Sequence, residues 1–124
     1  MPAMQFVYVK IPLLDGVAED IPRLHEALER VLTEADAGGL IGWGTSLADT
    51  RDHGPGALPH HRLDIEVQDH ARGLQLLREA LVQLGCPDGT ELHYTELRQA
   101  LQTVYRASAW TAPGPSTAAT RPRH

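Results

Sequence analysis

Cysteine occurs once in the 124 residues. An internal disulfide is therefore excluded, and the fold does not depend on an oxidising compartment. Cys86 follows a helical pattern, in Gly85-Cys86-Pro87-Asp88-Gly89. A helix C-terminus disfavours a thiolate, so this residue is set aside as a nucleophile. Long apolar runs are also lacking: nothing approaches the roughly eighteen residues of a membrane span, and the chain does not open on a basic segment followed by an apolar one. A cytoplasmic protein without a membrane partner is expected. Basic charge is scarce, with 11 Lys and Arg against 16 Asp and Glu and a formal net charge of -5. Phosphate backbones are held by clustered cations, which argues against a nucleic-acid partner.

What is present suits one globular domain. The apolar fraction of 42% and charged fraction of 22% are ordinary, and the length supports one core rather than two. The domain is expected to span 1–109. From 110 to 124 the chain is rich in Pro, Thr and Ala without periodicity, and a disordered tail is expected.

The chain also repeats itself. Leu24-His25-Glu26-Ala27-Leu28-Glu29-Arg30-Val31 is echoed by Leu77-Arg78-Glu79-Ala80-Leu81-Val82-Gln83-Leu84. Each copy follows a strand-like run and precedes a Gly-containing turn and another such run, so each half reads as a β-α-β unit. Residues 6–13 alternate, with Val7, Val9, Ile11 and Leu13 on one face and Phe6, Tyr8 and Lys10 on the other. Asp20 is the expected N-cap of the first helix, Pro22 falls in its first turn, and Ile21, Leu24, Leu28, Val31 and Ala35 form its apolar stripe. Residues 40–47 read as a glycine-rich second strand and 49–60 as a hairpin loop around Gly54-Pro55-Gly56. Residues 61–68 form the third strand, with Leu63, Ile65 and Val67 inward. Asp69 caps a second helix buried through Leu74, Leu77, Leu81 and Leu84. The fourth strand is 90–95. Leu97, Leu101, Val104 and Tyr105 then suit a short helix over 96–109.

This order gives an α+β fold: a ferredoxin-like βαββαβ plait, a four-stranded antiparallel sheet with two helices on one face and a short C-terminal helix. The Gly42-Trp43-Gly44-Thr45-Ser46-Leu47 strand, the Leu63-Asp64-Ile65-Glu66-Val67 strand and the passage from Leu77 to Thr90 resemble a group of small bacterial proteins of that fold. The resemblance implies architecture and brings no activity with it.

With helices on one side, chemistry is sought on the other. Tyr8, Lys10, Asp64, Glu66 and His93 fall there by alternation, with Phe6 and Glu91, and they supply acids and bases for proton transfer. Solvated charges on an exposed sheet are the simpler explanation, with Lys10 paired to Asp64 or Glu66. The acidic third strand would also repel RNA from the aromatic first strand.

Gly42, Trp43 and Gly44 are binding candidates, because glycines in a strand mark a close approach or a bulge. Trp43 itself is expected in the core. Seven histidines raise a metal site from His53, His60 and His61, although their spacing matches no known ligand set. His25 and His70 are expected to be solvated. No cofactor is implied.

The leading reading is a non-enzymatic module for a protein partner or small ligand, pairing as a homodimer through the second strand. A small enzyme using the open sheet face is the alternative. An immunity- or antitoxin-like acidic partner of a basic protein is the third.

Overall fold

The computed structural model describes residues 5–13, 17–46, 59–96 and 98–116. In chain order the elements are β1 (Gln5–Pro12), α1 (Val17–Glu34), β2 (Gly38–Ser46), β3 (His60–Val67), α2 (His70–Gln83), β4 (Glu91–Glu96), β5 (Gln99–Arg106), β6 (Ala109–Trp110) and β7 (Gly114–Pro115). The class is α+β: among the described residues, two helices accompany one seven-stranded sheet. Every strand pair is antiparallel, and the order is β2-β3-β1-β4-β5-β6, with β7 on β5 beside β6.

The four-stranded ferredoxin-like plait is therefore not the fold, and the error begins at residue 96. Where a C-terminal helix was expected, the chain turns through Arg98, at φ 64°, and returns as β5 along β4. Helical spacing of Leu101, Val104 and Tyr105 is real, but β4 would otherwise leave a row of N–H and C=O groups unpaired. Pairing with β5 satisfies them. The supposed disordered tail is also structured at its start. Ser108 and Ala107 turn the chain back at positive φ, β6 and β7 pair with β5, and the Ser116 N–H donates to the Ala100 carbonyl at 3.0 Å. Residues 117–124 lie outside the described residues, as do 47–58, which contain most of the expected hairpin loop.

Strand alternation and helix periodicity meet in the core. Val7, Val9 and Ile11 of β1 lie beside Leu63, Ile65 and Val67 of β3, all fully buried. Leu24, Leu28 and Leu32 of α1 and Leu74, Leu77 and Leu81 of α2 cover that face. Truncating such a leucine to alanine typically costs about 2–5 kcal/mol. The first helix begins at Val17, before the expected Asp20 cap, so Asp20 lies in its first turn and Pro22 inside it. Glu19 and Asp20 there complement the helix dipole. The second helix starts as expected: the Asp69 side chain accepts from the Arg72 N–H at 3.4 Å. It ends before Gly85, at φ 77°.

β2 forms one edge of the sheet. Gly38 opens it so close to β3 that an added Cβ would sit 1.9 Å from the Glu66 carbonyl oxygen. Pairing then shifts between Leu40 and Gly42, leaving Ile41 as a bulged residue.

Candidate functional site

The uncovered face carries a ladder set by register. Tyr8 lies opposite both Asp64 and His93, Lys10 opposite both Arg62 and Glu91, and Phe6 opposite Glu66. Of the five candidate acids and bases, Tyr8 and His93 come together: their rings stack at 4.5 Å with planes 5° apart. Asp64 pairs with Arg62 at 2.6 Å, not with Lys10. The Arg62 guanidinium in turn lies 3.8 Å from the Tyr8 ring centroid, a cation–π contact. Glu66 sits one rung away, opposite Phe6. Arg62 shares the parity of Asp64, so alternation alone could have found it.

His93 is the centre of the face. It points away from the helices yet is only 1% exposed, covered by Tyr8 and by Ser116, the residue after β7. Its Nε2 lies 2.7 Å from Glu91 Oε1 and its Nδ1 lies 2.7 Å from Ser116 Oγ. A carboxylate only accepts, so Nε2 carries a proton; in the neutral imidazole Nδ1 then offers its lone pair to the Ser116 hydroxyl. Burial would raise the Glu91 carboxyl, but the His93 hydrogen bond and the nearby Lys10, His93 and His60 outweigh it and hold the group below the usual carboxylate range. Tyr8 goes the other way: burial holds its hydroxyl above the usual value, despite a hydrogen bond to Ser116 and the Arg62 charge.

Beside this relay is a hollow of about 280 Å³, with Phe6 and Tyr8 on one side, Thr95 and Ala100 on the other, and His93 and Ser116 at its base. Glu91 borders a second hollow of about 270 Å³, with Lys10, His60 and Arg106. Ser116 is the residue sequence reasoning missed. It lies in a Pro- and Ala-rich run with no periodic signal, and only the pairing of β7 with β5 delivers it to His93.

A second cluster occupies the helix side. β3 alternates, so His60 and His61 project to opposite faces, and His61 joins the parity of Leu63. The metal trio of His53, His60 and His61 is thereby divided, and His53 lies outside the described residues. Among the described residues, no three His, Cys, Asp or Glu side chains are grouped to hold a metal ion. Instead His61, 2% exposed, meets His25 of α1 with 2.7 Å between their Nε2 atoms, and its Nδ1 lies 3.0 Å from Thr45 Oγ1. His25 is thus not simply solvated. Burial holds both imidazoles below the usual histidine range. The neighbouring His25 charge adds to this at His61, and Glu29 opposes it at His25.

Trp43 leans on the same pair, with ring centroids 5.4 Å from His25 and 5.6 Å from His61. Expected in the core, it is 67% exposed, because β2 is the sheet edge and no strand lies beyond it. Gly42 and Gly44 face the other way, beside Asp64 and Arg62. A Cβ at Gly44 would meet nothing within 4 Å, and one at Gly42 only ordinary contact with Asp64, so no close approach explains them.

Cys86 is buried, and burial pushes its thiol up. Among the described residues, no helix is long and apolar enough to cross a membrane. Compared with protein-family models, with curated proteins and with solved structures, the chain matches none.

Proposed function

We propose that this protein is a small-molecule-binding module whose ligand occupies the hollow on the uncovered sheet face. The observation that carries the reading is the hollow itself. Phe6, Tyr8, Thr95 and Ala100 present mainly apolar and aromatic surface, while Tyr8, His93 and Ser116 bring a few convergent polar groups. Ligand sites are commonly built this way, with an apolar lining for affinity and fixed polar atoms for orientation. The polar groups are already held by one another, so little ordering entropy is lost when a ligand arrives. Both faces of the Tyr8 ring are taken by His93 and Arg62, so the exposed Phe6 ring is the aromatic surface left to a ligand, and it favours an apolar or aromatic one. Pairing of two β2 edges into a dimer has less support, since a bulge at Ile41 interrupts the edge that would have to pair.

The test is titration of the isotope-labelled chain with small neutral aromatic amides and esters, followed by backbone NMR. Binding on the order of 0.1–1 mM is expected for compounds of this size, with shifts concentrated at Phe6, Thr95 and Ala100. Ala100→Trp fills the hollow and should abolish them. Shifts that persist in Ala100→Trp, or that appear only at other surfaces, would overturn the reading.

A further inference from the structure

Ser116, His93 and Glu91 form a continuous relay that simple ligand binding does not require. Its three members come from two β4 positions and the residue after β7, and both links measure 2.7 Å. His93 and Ser116 are 1% and 2% exposed and both line the hollow, so the pair lies directly beneath its surface. Glu91 fixes the His93 tautomer by accepting from Nε2, which leaves Nδ1 facing the Ser116 hydroxyl. This is the division of labour of a hydroxyl nucleophile, a general base and an orienting carboxylate, recognised by geometry and not by sequence order. The ring nitrogens are used in the reverse sense from the familiar serine hydrolases, with the hydroxyl on Nδ1.

We propose that Ser116 is an acyl-accepting nucleophile, activated by His93 and oriented through Glu91, for small uncharged carboxylic esters seated in the hollow. This rests on the binding reading above.

The steps balance with the ester and water as the only reactants. Ser116 Oγ adds to the ester carbonyl carbon as its proton passes to His93 Nδ1. The Tyr8 hydroxyl, which shares the hollow with Ser116 and interacts with it, would serve as the donor for the oxyanion that forms. The carbon–oxygen bond to the alcohol breaks, and the alcohol leaves with the proton from Nδ1. Water then adds to the acyl carbon and gives its proton to Nδ1. The Ser116–acyl bond breaks, the proton returns to Oγ, and the free acid departs. Throughout, His93 Nε2 stays bonded to Glu91, a positioning residue that holds the imidazole and stabilises its charged form. The apolar flanks Phe6 and Ala100 suit a short alkyl acyl chain.

The test uses the full chain with p-nitrophenyl butyrate, following nitrophenolate release, intact mass and NMR shifts. One butyryl group is expected on Ser116. Ser116→Ala should lose the adduct, and Ser116→Cys should recover acylation. Glu91→Gln should slow acylation by about 10²- to 10⁴-fold and change its pH profile, which a merely structural role would not do. A butyryl group on another residue with Ser116 unmodified would overturn the proposal. A wild-type chain that binds the ester but takes no acyl group ends the nucleophile and leaves the binding reading standing. A chain that neither binds nor reacts ends both.

Discussion

Acidification from about pH 7 to about pH 5 should destabilise the fold through the His25–His61 pair. Both imidazoles are held below the ordinary histidine range, first by burial. The unfolded chain takes up these protons near the ordinary value of about 6.5, whereas the folded chain resists until lower pH. Between those points the unfolded state binds more protons, so stability falls as pH falls, and above the upper point it is flat. One proton of difference corresponds to about 1.4 kcal/mol per pH unit.

His61, 2% exposed, sets that limit, and the partly exposed His25 adds a water-screened fraction of it. The slope just below pH 6.5 should therefore reach about 1.4 kcal/mol per unit at most from His61, with a smaller increment from His25. Glu91 does not confuse the measurement. Its depressed carboxyl contributes stability that is present above the unfolded value of about 4.3 and is lost only as pH falls through the lower folded value.

The assay is urea unfolding at closely spaced pH values, for the wild type and for His61→Gln. Glutamine keeps an amide facing Thr45 and His25 but does not titrate. The variant should start less stable at neutral pH and show a flatter curve below about 6.5. A flat wild-type curve, or an equally steep one in His61→Gln, would refute the argument.

Two further outcomes follow from packing. Gly73→Ala should destabilise the chain despite improving helix propensity by about 1 kcal/mol, because the new Cβ would lie 2.7 Å from Val67 Cβ and Cγ1. Overpacking of this kind costs about 1–3 kcal/mol, so a net loss on the order of 1 kcal/mol is expected in chemical denaturation; a gain would show that α2 does not rest on Val67. Trp43 contacts both histidines, and imidazolium quenches indole emission. Its fluorescence should fall over the same pH window as the stability, and a pH response unchanged in Trp43→Phe would place the effect at Trp110.

The parts of the site on regular strands were legible because alternation is strict. Val7, Val9 and Ile11 inward place Tyr8 and Lys10 outward, and the same rule puts His93 with Tyr8. It also places His61 inward with Leu63, which is why His60 and His61 cannot share a metal. Trp43 shows the limit of residue type as a guide. A large ring on the helix side of an edge strand has neighbours on one side only, so parity did not bring burial.

The sequence by itself determined the α+β class, the apolar stripes of both helices, the Asp69 cap and the facing of β1, β3 and β4, all of which follow from local periodicity and capping chemistry. Tertiary structure decided the rest. Residues 99–106 carry spacing that suits a helix, and the unpaired edge of β4 made them a strand. That strand captured β6 and β7, and β7 brought Ser116 against His93. The contacts that define the candidate site join residues 23 positions apart through a sheet edge. No local pattern encodes such a contact, because it exists only once the intervening strands have paired.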